Sequence, residues 1–335
     1  MVQYPKFIVV IGASAGGLDA LAEMVRNLKP GLDVAYCIVL HLSHKGIGDF
    51  VVDRLEQSTD MHCSLVKNGG AIKKNNIYIA RPNQHMLVKD NKFILGGGPE
   101  ENRFRPSIDV LFRSVAAAYS SHAIGVVLSG MLDDGTSGMW AIKRCGGTCI
   151  VQDPNEAEYP DMPLSVINNM EADHVLTLGE MGAIIESITK NKKGKKKPVP
   201  ADVLAESKIA ETTAVGIDDI AAIASEKSVF ACPDCGGNLW QMKGGAVKRY
   251  RCHIGHAYTE RDLVVKQAET ASSTLWIALR MMEERKHLLK KIQIDSVKKG
   301  HKYMSSRNTE KHDEMQRHID RLKKILFDLQ NHNTE

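Results

Sequence analysis

No stretch of this sequence holds the roughly 18 consecutive apolar residues of a membrane-spanning helix, and the N-terminus lacks a basic leader and a small-residue cleavage site. Membrane insertion and export by a cleaved signal are therefore not expected. Charge of one sign is scarce: 44 Lys and Arg stand against 40 Asp and Glu, and a net charge of +4 does not by itself imply a nucleic-acid or membrane surface. Seven cysteines is an odd number, and Cys37 and Cys149 sit inside apolar runs. That usage fits reduced thiols in the cytoplasm better than a disulfide framework. Nucleotide fingerprints are missing too. In "IGASAGGLDAL" (11–21), Ser14 stands where a G-x-G-x-x-G fingerprint needs its second glycine, and the next apolar run ends in His41 with no acid for a ribose. None of the eight tyrosines has Lys four residues later, and no glycine-rich loop carries the Lys-Ser/Thr pair of a phosphate loop.

What is present, up to about residue 188, is alternation. Runs rich in Val and Ile at 7–11, 35–42, 76–82, 85–95, 123–131 and 148–152 read as strands. Segments with apolar residues at helical spacing lie between them at 19–28, 49–58, 107–120 and 136–146. Buried strands alternating with amphipathic helices predict an α/β fold: a doubly wound, mainly parallel sheet covered on both faces. Six of the eight residues from 190 to 197 are lysine, and two prolines follow. Such a segment repels itself and has no apolar face, so 190–227 reads as a linker and flexible connector, with an anion-binding patch as the sharper alternative. Residues 228–258 form a small Cys/His module. Residues 259–335 read as two helices with apolar stripes around Gly300, an antiparallel hairpin whose stripe serves its own core or a partner.

Gly12-Ala13-Ser14-Ala15-Gly16 fits G-x-S-x-G between a strand and a helix. Small neighbours permit a sharp turn that exposes the serine oxygen, and the helix N-terminus behind it favours negative charge. A serine nucleophile needs a base, and the base an orienting acid. In a parallel sheet the C-terminal strand ends gather on one edge. Ser14 follows the first strand, His41 the second, and Asp133 and Asp134 the strand at 123–131, so hydroxyl, imidazole and carboxylate can converge. The order Ser, His, Asp differs from that of α/β-hydrolases, where the acid precedes the histidine.

At these residues the chain resembles the catalytic domain of the chemotaxis protein-glutamate methylesterases (CheB type). The matching pieces are "IGASAGGLDAL", "VLHLSH", "YIARPNQHMLV", "RPSIDVLFRSVA", "LSGMLDDGTSGMWAIKRCGG" and "VQDPNEAEYPDMPLSVI", in the family's order, within a catalytic domain spanning 1–189. The resemblance implies hydrolysis of glutamate γ-methyl esters on chemoreceptor helices, with glutamine deamidation in some members. By position it makes Ser14 the nucleophile, His41 the base and Asp134 the orienting acid, and it sets Ala15 and Met131 in the turns that hold the oxyanion. His85 and Arg113 fall in family motifs without an assigned role. Ala15 stands where the family often has threonine, and Leu132 replaces a usual glycine. Asp133 is an extra acid, so Asp133 and Asp134 both compete to orient His41. No receiver domain precedes the catalytic part, so control is expected from elsewhere. These departures leave an alternative: a binding or adaptor protein on an inactive esterase fold.

The chemistry requires no catalytic cofactor. The spacing Cys232-x2-Cys235, then Cys252 and His256, suits a structural zinc ion, with His253 as the alternative histidine. Nearby Lys243, Lys248, Arg249, Tyr250 and Arg251 allow a nucleic-acid contact, but a docking module is the preferred reading of so short a basic set. Expected partners are methylated cytoplasmic helices of chemoreceptor-like proteins, and a signalling partner or a second copy through the C-terminal helices.

Overall fold

The computed structural model describes residues 3–41, 48–192, 196–211, 220 and 223–332, with side chains to 329. It divides into two compact units, 1–263 and 264–335.

The first unit is built on seven parallel strands: β1 (Phe7–Ala13), β2 (Val34–Leu40), β3 (His62–Leu65), β4 (Asn76–Ile79), β7 (Ala123–Val127), β8 (Thr148–Gln152) and β9 (His174–Leu176), in the order β3-β4-β2-β1-β7-β8-β9. Each neighbouring pair is parallel. Alternation along β1 shows why both faces must be covered. Ile8 and Val10 enter one apolar cluster with α3 (Ile108–Tyr119), α4 (Thr136–Arg144) and α5 (Asp161–Asn169). Phe7, Val9 and Ile11 enter another with α1 (Gly17–Arg26), α2 (Gly48–Glu56) and α6 (Leu178–Asn191). The strand order reverses between β1 and β7, which opens a crevice at their C-terminal ends.

The expected doubly wound sheet is present, with differences of detail. The run 85–95 is not one strand but a hairpin, β5 (His85–Lys89) and β6 (Lys92–Gly96), because Asp90 and Asn91 both adopt positive φ, 47° and 59°, and reverse the chain. The short strands β3 and β9 leave no pattern in the sequence: each spans four residues or fewer, too few for alternation to show. Leu42, expected to end the second strand, lies outside the described residues, as do 193–195, 212–219 and 221–222 of the expected linker.

That linker is not simply a flexible connector. Its residues 201–211 form α7 (Ala201–Glu211), which packs on α3 and buries Val203, Glu206 and Ile209. The lysines are drawn in by orphan carbonyls at helix ends: Lys196 donates to the Ala118 carbonyl at 2.8 Å, and Lys192 to that of Gly146 at 3.1 Å. The Cys/His module is likewise part of the first unit. It is a four-stranded antiparallel sheet of β10 (Ala224–Ala231), β11 (Asn238–Met242), β12 (Arg249–Cys252) and β13 (Ala257–Thr259).

The second unit holds most of α8 (Glu260–Lys298) and α9 (Lys302–His332). Leu279, Ile319 and Leu326 form its core, and Lys323–Glu283 and Gln293–Thr309 contacts give the antiparallel register of the expected hairpin. Trp276, Ile277 and Met281 remain exposed along α8. No described helix is long and apolar enough to cross a membrane.

Candidate active site

Ser14 follows β1 at the crevice. Its N–H donates to the Ser129 carbonyl at 3.0 Å, and its own carbonyl accepts the Gly17 N–H at 2.9 Å, closing the turn into α1. The turn depends on Gly16, whose φ of 67° few side chains tolerate. Ser129, two residues past the end of β7, braces it: its hydroxyl donates to the Ala15 carbonyl at 2.8 Å and accepts the Tyr159 N–H at 3.0 Å. Gly130 has to be small, since a Cβ there would stand 2.8 Å from the Ser14 Cβ and 2.1 Å from the Met162 sulfur.

His41 is one residue past the Ala13–Leu40 register pair, and its N–H donates to the Ala13 carbonyl at 3.0 Å. Ser14 and His41 thus occupy adjoining strand tips, in a lattice where neighbouring strands run about 4.8 Å apart. The imidazole side chain is only 3% exposed. The Phe104 ring stacks on it, with centroids 3.7 Å apart and planes within 9°. His41 Nε2 lies 3.0 Å from Asp134 Oδ2, close but not aligned as a directed hydrogen bond. His41 Nδ1 is buried and has no partner among the described residues.

Of the two aspartates in competition, only Asp134 meets His41. Its carboxylate sits at the N-terminus of α3, accepting N–H groups from Ile108 at 2.7 Å and Asp109 at 3.1 Å, with the Ser107 hydroxyl at 3.1 Å. Asn102 donates to it at 2.8 Å, and to Asp109 at 2.8 Å. Burial works against the charge of Asp134, but His41, Asn102 and the helix N–H groups together hold its carboxyl below the usual range. Burial and the nearby Asp134 charge push Asp109 up, to about 7. Asp133 turns away and accepts the Thr259 hydroxyl at 2.9 Å. Leu132 holds a positive φ of 67° that is strained for a bulky side chain. Ala15 follows the serine and Met131 follows Gly130, which lies against Ser14; neither N–H donates to a described main-chain carbonyl. The Met131 side chain is exposed, so whatever it offers the site comes from the backbone.

His85 and Arg113 gain structural places. The His85 Nε2 faces the Pro99 carbonyl at 2.9 Å while Nδ1 accepts the Ser107 N–H at 3.2 Å, which fixes the neutral tautomer; burial lowers its pKa accordingly. Arg113 is buried between Glu101 and Glu206. Asn102, Phe104, Glu101 and Glu206 escaped the sequence reading. The first two and Glu101 have one signal, the polar, charged and aromatic residues that crowd into the short loop "GGGPEENRFRPS", whereas Glu206 lies in α7 and has none.

The sequence model of the CheB methylesterase family matches residues 9–185. The chain belongs to the CheB methylesterase family. A relative from Leptospira interrogans, called a putative protein-glutamate methylesterase/protein-glutamine glutaminase, is 35% identical over 184 residues, which cover 55% of this chain and 95% of that protein. A Rhodospirillum rubrum protein-glutamate methylesterase/protein-glutamine glutaminase is 34% identical over 53% of this chain and 50% of its own length. The crystal structure of the Thermotoga maritima CheB methylesterase catalytic domain superposes with a TM-score of 0.53 at 30% identity, covering 54% of this chain and 98% of that one. The chain therefore spans nearly all of two of these relatives and half of the third, and its CheB part stops near residue 185.

Beyond that CheB part, Cys232, Cys235, Cys252 and His256 offer ligand atoms that all lie within 4.8 Å of one another. The Cys235 and Cys252 sulfurs are 3.7 Å apart, and the Cys252 sulfur is 3.6 Å from His256 Nδ1. His253 is instead turned against Gly237. Of the neighbouring basic residues, Lys243 and Lys248 are exposed, but the two arginines are not a free surface. Arg249 forms a two-pronged pair with Glu206 at 2.6 and 2.8 Å, and Arg251 bonds Glu101 at 2.6 Å, all buried. Burial raises both carboxyls, yet the guanidinium charges win and hold them well below the usual range. Arginines so engaged cannot also read nucleic acid.

Proposed function

We propose that this CheB-family chain is a serine esterase that hydrolyses glutamate γ-methyl esters on chemoreceptor-like helices, with glutamine deamidation as the related reaction. The 3.0 Å approach of His41 to Asp134, on the strand tip beside Ser14, carries the reading. With Nε2 facing the carboxylate at 3.0 Å, Nδ1 is left to take the Ser14 proton as the hydroxyl attacks the ester carbonyl. Backbone N–H groups of Ala15 and Met131 hold the developing oxyanion, each donor being worth about 3 kcal/mol. The imidazolium, steadied by Asp134 and stacked on one face by Phe104, returns the proton to the departing methanol. Water, activated by the same base, then clears the acyl-enzyme. None of the seven cysteines is in a disulfide, which fits the reducing cytoplasm where such receptor helices lie.

Methanol release from a methylated receptor, compared between the native chain and Ser14→Ala, tests this. Release is expected to vanish in the variant. Equal rates would end the reading, and stoichiometric labelling of Ser14 by a fluorophosphonate would count against the adaptor alternative.

A further inference from the structure

We propose that Cys232, Cys235, Cys252 and His256 bind one tetrahedral zinc-class ion, and that the ribbon closed by this ion is a clamp positioning the loop that carries Asn102 and Phe104. The inference rests on the esterase reading for its catalytic consequence, but not for the metal or the clamp.

The donor set comes first. Three thiols and one imidazole converge within 4.8 Å, and a sulfur–sulfur separation of 3.7 Å is what two ligands about 2.3 Å from a shared ion present at tetrahedral angles. Binding would release a proton from each thiol to solvent, leaving three thiolates and a neutral imidazole. Four protein ligands fill the sphere, so the ion takes no substrate. Around the ligands, the described residues offer a small buried core of Cys232, Leu239, Tyr250, Cys252, Tyr258 and Leu263, while Ala224 and Met242 at the other end of the sheet pack with Ile209 of α7; so small a cluster at the ligand end gains most from an ion that ties its turns together.

The clamp follows from what the closed ribbon touches. Cys252 ends β12, His256 immediately precedes β13, and the Cys252 N–H donates to the His256 carbonyl at 3.0 Å, so two of the ligands fix the turn between these strands. β13 then runs beside the loop 100–104. The Asn102 N–H donates to the Ala257 carbonyl at 2.8 Å, and the Ala257 N–H to the Glu100 carbonyl at 3.3 Å. Arg251, immediately before Cys252 in β12, is tied to Glu101 of the same loop. Thr259, two residues beyond Ala257, holds Asp133 beside the acid. From this clamped loop Asn102 reaches Asp134 and Phe104 stacks on His41. Asn102 and Phe104 are thus positioning residues, aligning acid and base while leaving the substrate alone.

The full chain should be purified and its metal measured by mass spectrometry, stripped with a chelator, then refilled with Zn²⁺ or Co²⁺. One ion per chain is expected, and the cobalt form should show sulfur-to-metal charge transfer with tetrahedral d–d bands. Stripping should speed amide exchange at Asn102 and lower kcat by roughly 10²-fold with little change in KM, the effect of misaligning reacting groups by about an ångström; refilling should restore both. Cys235→Ser should behave like the stripped chain, and Cys235→His, which keeps a ligand at this exposed position, like the filled one. A chain that binds no ion and gives no thiolate band overturns the metal site. An ion whose removal leaves Asn102 exchange unchanged overturns the clamp. If Ser14 is unreactive in every form, the esterase reading falls, while metal content and exchange still decide this proposal.

Discussion

Asp134 caps α3 with its carboxylate, accepting the Ile108 N–H at 2.7 Å, while the same group faces His41. One side chain therefore joins the base to the positive end of a helix dipole, which keeps the acid ionised beside an imidazole that must gain a proton. Asp133, next in sequence, has no such place. Asp134→Asn should lower kcat by about 10⁴-fold, as loss of a triad acid does, whereas Asp133→Asn should keep activity within roughly tenfold of native. Methanol release by both variants checks this, and the reverse order would reassign the acid. Because the folded-state pKa of Asp134 is depressed, its charge stabilises the fold above the ordinary carboxylate range, and that contribution is lost as pH falls through the depressed value.

Gly130 gives the site its second close constraint. Gly130→Ala should leave the chain folded, since Met162 is flexible enough to shift, yet it should push Ser14 off line. A fall in kcat of about 10²-fold is expected, read together with slower fluorophosphonate labelling. Unchanged labelling would mean that the serine is not held by this contact.

The Phe104–His41 stack is testable on its own. Phe104→Ala removes one wall of the imidazole slot and should cost about 10- to 100-fold in kcat with KM near native. Phe104→Tyr keeps the wall and should retain most of the rate.

Glu206 sits among Arg113 and Arg249, all buried. Glu206→Gln strands the Arg249 guanidinium, while Arg113 keeps Glu101, and an unfolding free energy lower by roughly 3–5 kcal/mol is expected in urea titrations. Pairing it with Arg249→Met should recover part of the loss; a single variant as stable as the native chain would show that α7 is not anchored by this network.

Asp262 is pushed up to about 8 by burial, the Asp133 charge adding to the effect. Its raised folded-state value sets the sign: the neutral carboxyl's contribution is complete below the ordinary value near 3.8 and is lost as pH rises towards and through about 8. Native stability should therefore fall across that window more steeply than that of Asp262→Asn, measured as urea midpoints from pH 5 to 9. Identical slopes would show that Asp262 does not stay protonated in the fold.

Much of the protein was legible along the chain. Val- and Ile-rich runs between amphipathic segments imply a parallel sheet because both faces of each strand must be buried, and β1 splitting its residues between two clusters is that requirement met. Ser14, His41 and the aspartates were visible as polar residues just past strands, and the Cys/His ligands by their spacing. Tertiary structure alone decided which aspartate faces the imidazole, since Asp133 and Asp134 differ only in where the backbone points them. It alone set Phe104 against His41, across 63 residues of chain, and turned Arg249 and Arg251 from surface cations into buried partners of Glu206 and Glu101. Local patterning records what each segment must bury, whereas charge pairing and ring stacking depend on distances that exist only once remote segments have met.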